Sequence, residues 1–327
     1  MFLKKNSFIE GTIIATVAIV LVKILGMLYV IPFYATVGVQ GAALYAYAYN
    51  IYSLFLEIST AGIPNAVSKL INEYNTLNKQ EAKIRTFKLG KKILGFIAIT
   101  AFIFVFAPLI AKLIMGDMAG ANSVEDISFV IRCVSFALLI FPFLSVSRGF
   151  FQGHNIIYVS SFSQVIEQVA RVSVIIFGSY IALNFLGLSN AHAVGVATFG
   201  AFIGGFCAYL YVRKKLVNNK KELALDTNFL VKDEVTNKEI IKKIISYAIP
   251  VVIVSIAFTI YNNIDMILTL RVMDYIGSYE ALEVEFIATA ISTWASKISL
   301  IVTSIGLGLS SSMIPAMVEA YTLKNYT

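Results

Sequence analysis

Eight long apolar stretches divided by polar connections dominate this chain: residues 8–35, 42–71, 89–115, 127–151, 156–185, 191–212, 244–271 and 286–318. About 20 apolar residues suffice to cross a bilayer as a helix. In lipid the backbone must satisfy its own hydrogen bonds, which leaves only helices or a closed barrel. None of the stretches shows the ten-residue alternation of a barrel strand. The expected fold class is therefore an all-α integral membrane protein of about eight transmembrane helices. A mean hydropathy of +0.80 agrees, as does a charged fraction of 14%, against about 25% in a soluble domain.

All six prolines fall inside these stretches, each in a different one: Pro32, Pro64, Pro108, Pro142, Pro250 and Pro315. Proline removes a backbone donor and frees a carbonyl, which a membrane helix tolerates when neighbours or water take up the freed group. Pro32, Pro64, Pro250 and Pro315 are the candidate kinks or hinges.

Basic residues set the expected orientation. Lys69, Lys79, Lys83, Arg85, Lys88, Lys91 and Lys92 follow the second stretch, and Arg213, Lys214, Lys215, Lys220, Lys221, Lys232, Lys238, Lys242 and Lys243 follow the sixth. Lys4 and Lys5 precede the first, whereas only Lys112 and Arg271 flank the opposite connections. The expectation is a multi-pass cell-membrane protein with both termini cytoplasmic. This bias accounts for the net charge of +7, so nucleic acid is not an expected partner. The first apolar run continues past Lys23 without a small-residue cleavage site, so it reads as a retained helix rather than a signal peptide. Cys133 and Cys207 fall in apolar stretches and read as packing residues. His154 and His192 lie in opposite connections, so no metal and no cofactor are expected.

The polar segment 213–243 divides the chain into an expected N-terminal six-helix lobe (1–212), a cytoplasmic linker (213–243) and the start of a second lobe (244–327). Ile63-Pro64-Asn65-Ala66-Val67 near the end of the second stretch is echoed by Ile314-Pro315-Ala316-Met317-Val318 near the end of the eighth. If the seventh stretch restarts the pattern, the repeat unit is six helices related by an axis along the membrane normal. A complete second lobe needs four more helices, so the chain is expected to be truncated.

Charges inside the apolar stretches carry the functional signal, because a cation at mid-membrane costs at least ~2.5–3.5 kcal/mol and needs a partner charge, a wet cavity or a ligand. Lys23 and Glu57 are central in the first two stretches. Gln164, Glu167, Gln168 and Arg171 form one helical stripe, with Glu167 and Arg171 at ion-pair spacing. Tyr261, Asp265 and Thr269 share a face of the seventh, and Ser292, Ser296, Ser299 and Thr303 make a hydroxyl face beside Lys297 in the eighth. Lys23, Arg171 and Lys297 balance Glu57, Glu167 and Asp265. The pairs Lys23–Glu57, Glu167–Arg171 and Asp265–Lys297 are therefore each open to a purely structural reading, as intramembrane charges often pair.

Four segments together resemble one family: Lys23-Ile24-Leu25-Gly26, Ala61-Gly62-Ile63-Pro64-Asn65-Ala66-Val67-Ser68-Lys69, Arg148-Gly149-Phe150-Phe151-Gln152-Gly153, and Gln164-Val165-Ile166-Glu167-Gln168-Val169-Ala170-Arg171-Val172. They are similar to the polysaccharide-transport and stage V sporulation protein B branch of the multidrug/oligosaccharidyl-lipid/polysaccharide exporter superfamily, which includes the lipid II flippases. The resemblance runs along essentially the whole chain. It implies two six-helix lobes around a central cavity, and alternating access that moves an undecaprenyl-pyrophosphate-linked oligosaccharide from inner to outer leaflet. It also implies that Lys23, and Lys297 in Trp294-Ala295-Ser296-Lys297, occupy the family's cavity-cation positions. With Arg171 they are the candidate substrate-binding residues. Lipid II flippases carry a second arginine six residues after the first cation, where this chain has Tyr29.

No GxxxxGK[ST] loop is present, so transport would draw on an ion gradient or the membrane potential. Glu57 and Asp265 are the candidates for carrying a coupling H+ or Na+. Three alternatives stand beside the flippase: a multidrug cation antiporter of the same superfamily, a membrane-embedded glycosyl transferase, and a non-transporting truncated remnant. The expected class is a transporter, not an enzyme, since no acid/base cluster lies near a membrane surface.

Overall fold

The computed structural model describes residues 6–57, 62–93, 96–115, 121–223, 225 and 234–324. Lys4, Lys5, Ala61 and Lys232, noted above, lie outside the described residues, as do the side chains of Lys91, Lys92, Ser296, Ser299 and Pro315. The described chain is a membrane-type helical bundle. Its helices are α1 (Phe8–Leu28), α2 (Val30–Glu57), α3 (Ile63–Thr76), α4 (Gln80–Ile93), α5 (Phe96–Met115), α6 (Val124–Ser135), α7 (Phe141–Gly153), α8 (Ile157–Ser173), α9 (Ser179–Asn184), α10 (Asn190–Asn218), α11 (Asn237–Ile276), α12 (Ala281–Thr289) and α13 (Ser296–Thr322). Among the described residues, five helical runs are long and apolar enough to cross a membrane: Ile9–Glu57, Val124–Gly153, Ile157–Asn184, Asn190–Asn218 and Asn237–Ile276.

The first of these runs is not one rod. Gly38, at φ 67° and ψ −176°, breaks α2 internally, a conformation that glycine adopts without a Cβ penalty. Apolar residues on its two sides therefore form separate helices. A second break comes at Tyr29, between α1 and α2. Pro32 has no N–H to bond the Leu28 carbonyl, and the Tyr29 N–H bond to the Leu25 carbonyl is stretched to 3.4 Å.

Other prolines act at helix starts rather than as mid-helix kinks. Pro64 opens α3 and Pro142 opens α7, in the first positions of each helix, where the missing N–H would be unpaired in any case. A 3₁₀ turn, Phe136–Leu139, precedes Pro142. Pro108 and Pro250 lie inside α5 and α11. Two π-turns, Val174–Gly178 and Ala290–Ala295, interrupt the helices that follow α8 and α12, the kind of irregularity that often marks a functional position.

The turns gather at two ends. At the lysine-rich end the Asn6 backbone N–H donates to the Asn155 carbonyl at 2.8 Å, and Lys243 pairs with Glu73 at 2.7 Å. At the opposite end Asn190 Nδ2 donates to the Val37 carbonyl at 2.9 Å, and Gln40 Nε2 donates to the Ala121 carbonyl at 2.5 Å. A capping box, Thr236 with Glu239, starts α11 beside the lysine-rich end, and left-handed Gly277 stops it at the other. Between the ends, α1 packs along α13 and α8, α10 along α8 and α6, and α3 between α7, α11 and α13.

A close helix contact joins α7 to α3. A Cβ built on Gly149 would lie 2.5 Å from the Pro64 carbonyl oxygen, so only glycine permits this approach. Gly149→Ala must push the two helices apart. It is expected to lower stability by about 1–3 kcal/mol, the range for overpacked cores, measured by thermal unfolding in detergent. Gly306→Ala, which meets nothing within 4 Å, should leave the midpoint unchanged.

Candidate functional site

A cavity of about 580 Å³ opens between α1, α2, α3, α7 and α8 on one side and α11 and α13 on the other. Its polar lining includes Lys23, Glu57, Asn65, Arg148, Gln164 and Glu167. Pro64 lines it too, with Val251 beside Pro250 and Ile314 beside Pro315. Three of the four candidate kinks, Pro64, Pro250 and Pro315, thus lie at or next to the cavity wall, and Pro32 lies away from it.

Glu167 is the centre of the cavity's charge network. One carboxylate oxygen meets Arg148 Nη2 at 2.9 Å and the other meets Arg171 Nη2 at 2.7 Å. The three side chains are only 11–12% exposed. Arg148 Nε also donates to Ser163 Oγ at 2.7 Å. Arg171 turns from the large cavity to a small void shared with Tyr45, Tyr49 and Tyr52. The i, i+4 pair read from the sequence is thus present, but Glu167 is shared with a second arginine.

Lys23 and Glu57 line the same cavity without an ion pair within 4.0 Å among the described residues. Lys297 does not pair with Asp265. Its Nζ donates to Tyr29 Oη at 2.7 Å, and Tyr29 Oη donates to Tyr45 Oη at 3.2 Å. The ammonium lies 4.5 Å from the Tyr29 ring centroid, 4.3 Å from Trp294 and 5.5 Å from Tyr49. Such faces attract a cation through the ring quadrupole. Two local irregularities set up this box. The break before Pro32 aims Tyr29, and the π-turn Ala290–Ala295 places Trp294 and Lys297 toward α1 and α2.

Lys23 and Lys297 therefore do not share one cavity lining, although Lys23 and Arg171 are the charges that act on Lys297. Asp265 stands outside this group, with no ion pair among the described residues. The balanced charge count read from the sequence is corrected on both sides. Arg148 joins the centre and Asp265 does not, leaving four cations, Lys23, Arg148, Arg171 and Lys297, against two carboxylates, Glu57 and Glu167. The net excess is positive. Arg148 was legible as an arginine inside an apolar stretch, but it lies near the stretch's end, where a charge ordinarily reaches water.

A buried polar node was also missed. Asn50 Nδ2 donates to Thr293 Oγ1 at 2.8 Å and contacts Met266 Sδ at 3.1 Å, and Asn263 Nδ2 donates to the Asn50 carbonyl at 3.3 Å. It joins α2 to α11 and to the π-turn. Its only sequence signal was an asparagine in an apolar run.

Two substitutions test the geometry. Glu167→Gln leaves two mostly buried guanidiniums without their carboxylate, and breaking a buried pair from one side costs roughly 3 kcal/mol or more. Tyr29→Phe removes the lysine's acceptor while keeping the ring, a loss of about 1.5–3 kcal/mol for a hydrogen bond to a charged group. Reversible unfolding in mixed micelles measures both, and an unchanged unfolding free energy in either contradicts the corresponding contact.

Residues 8–321 match the family described as polysaccharide biosynthesis protein. The chain is 33% identical over 328 residues to the lipid II flippase MurJ of Bacillus subtilis (strain 168), across 98% of this chain and 59% of that protein. It is 26% identical over 210 residues to stage V sporulation protein B of the same organism, across 64% of this chain and 39% of that protein. The chain spans about half the length of these curated relatives. Among solved structures it resembles a MOP superfamily transporter from Pyrococcus furiosus, with TM-score 0.68 and 16% identity over 98% of this chain and 66% of that one. It also resembles an outward-facing multidrug resistance MATE family transporter of the MOP superfamily, with TM-score 0.69 and 16% identity over 98% and 67%. At this identity the likeness shows the fold, which is that of the MOP transporters.

Proposed function

Because the chain belongs to the polysaccharide biosynthesis protein family, we propose that it serves as a flippase, moving an undecaprenyl-pyrophosphate-linked oligosaccharide from the inner to the outer leaflet by alternating access. The similarity to a lipid II flippase over nearly the whole chain supports a peptidoglycan or polysaccharide precursor as the substrate class. The observation that carries the reading is the pair of cations in the cavity wall, Lys23 and Arg148, with Arg171 behind Glu167. A pyrophosphate linking lipid to sugar is a compact dianion, and desolvated cations are its natural partners. Lys23 and Arg148 face the cavity directly, Arg171 stands behind Glu167, and Lys297 waits in its aromatic box. Tyr29, where the lipid II flippases carry an arginine, makes the lipid carrier's sugar the open variable.

In this reading residues 1–212 are one lobe, 213–243 a cytoplasmic linker and 244–327 the start of the second lobe. The lysine-rich end and the N-terminus face the cytoplasm by the positive-inside bias. The cavity between the first six helices and α11 and α13 is the substrate path, and Pro64, Pro250 and Pro315 beside it are the bending points. A coupling H+ or Na+ would act through Glu57 or Asp265. A second reading, a multidrug cation antiporter, is favoured by Glu57, a cavity carboxylate without an ion pair among the described residues.

Binding of an undecaprenyl-pyrophosphate lipid to purified protein tests the choice. Lys23→Ala/Lys297→Ala should weaken binding at least tenfold per lysine, since each tenfold is about 1.4 kcal/mol and a charge-assisted hydrogen bond contributes about 1.5–3 kcal/mol. Equal binding by the double variant would make both lysines structural and move the antiporter ahead. Separately, Glu57→Gln or Asp265→Asn should leave lipid binding intact while abolishing the dependence of transport on an imposed gradient. Retained gradient dependence in both variants would remove these carboxylates from coupling.

A further inference from the structure

Glu285 belongs to none of the charge pairs considered above, yet it is 0% exposed. It lies on α12, at the end of the bundle opposite the lysines, and faces residues from the first part of the chain. Its two carboxylate oxygens accept from Asn122, whose backbone N–H donates at 3.0 Å and whose Nδ2 donates at 2.5 Å, with the Ala121 backbone and the Tyr47 hydroxyl beside them. Asn122 Nδ2 also donates to the Gln40 carbonyl at 3.1 Å. Glu285 thereby ties α12 to both the 121–123 turn and the turn that follows Gly38.

The charged and titratable surroundings are sparse. From α2 the buried Tyr47 hydroxyl faces Glu285. Arg271 of α11 is engaged elsewhere, donating to the Leu113 carbonyl of α5 at 3.2 Å. On its own element, Glu283 accepts from the Glu280 backbone N–H at 3.1 Å and closes the helix cap. Among the described residues no cation lies within 4.0 Å of Glu285.

We propose that Glu285 is a proton-binding site whose occupancy controls the contact between α12 and the first six-helix unit. When the carboxylate is ionised, both oxygens accept and Asn122 is held twice. Proton uptake converts one oxygen into a donor that faces the donors of Asn122, so one of the two hydrogen bonds is lost. Burial away from any cation favours the neutral acid, and the two Asn122 donors favour the charged form. Burial is the larger effect, so the carboxyl is held above the ordinary carboxylate range. Protonation loosens this end of the bundle, and deprotonation closes it. Only the use of the switch in transport rests on the flippase reading; the pH response does not.

The test places nitroxide spin labels at Glu125→Cys and Ser278→Cys, both exposed, in a Cys133→Ser/Cys207→Ser background in lipid nanodiscs. Electron-spin distances are measured at pH 8 and pH 5 with no lipid-linked sugar present. The labelled protein should shift toward longer distances at pH 5. Glu285→Gln, whose amide imitates the neutral acid, should give the long distribution at both pH values. Asn122→Ala, which keeps the carboxylate and the backbone donor but removes the side-chain donor, should shrink the pH response and serves if Glu285→Gln does not fold. A labelled protein with equal distances at the two pH values overturns the proposal, as does an unaltered pH shift in either variant. The lipid-binding experiment above stands or falls independently.

Discussion

The Glu167 carboxylate is the interaction on which the centre of this bundle depends. One acid is divided between Arg148 of α7 and Arg171 of its own helix, α8. Taking three charges out of water is costly unless each is met by short, well-directed hydrogen bonds. The sharing fixes α7 against α8 and leaves a net cation beside the cavity. Gly149, one residue after Arg148, allows α7 to approach the start of α3. The Arg-Gly pair thus serves two ends at once: the arginine supplies charge to the cavity and the glycine supplies the close packing that brings α3 and its Pro64 to the cavity wall.

Lys297 solves the same problem differently. Without a carboxylate in reach among the described residues, its ammonium donates to a phenol and lies against three aromatic rings. An aromatic box offers a cation a modest, adjustable stabilisation, weaker than an ion pair at the same depth. A residue held in this way can exchange its partners for an anionic ligand without breaking a buried salt bridge. The break before Pro32 and the π-turn before α13 are the backbone features that make the box, so two departures from ideal helix lie next to the site.

Contacts at the two ends differ in chemistry. Lysine-rich turns are joined by exposed and half-exposed pairs such as Lys243–Glu73, which water and salt weaken. The opposite end is joined by the buried Glu285–Asn122 contact. The two ends are thus held by different chemistry, one exposed and ionic, the other buried and hydrogen-bonded.

Much of the architecture was legible in the sequence, because lipid imposes a strict rule on backbone hydrogen bonding. Long apolar runs had to be helices, and Pro32, Pro64, Pro142 and Gly38 lie where helices break or begin, whereas Pro108 and Pro250 lie inside α5 and α11. The Glu167–Arg171 pair was legible from i, i+4 spacing alone. Arg148, the aromatic partners of Lys297 and the Asn50 node were not, since each depends on which helix faces which. Asp265 shows the converse: sequence depth suggested Lys297 as its partner, but a π-turn rotated that lysine toward α1 and α2. Local sequence determined the helices, their breaks and the cost of each buried charge. Tertiary structure alone decided which charges meet, because pairing between helices depends on rotation and crossing angle, and these are set by the close packing of side chains distant in the chain.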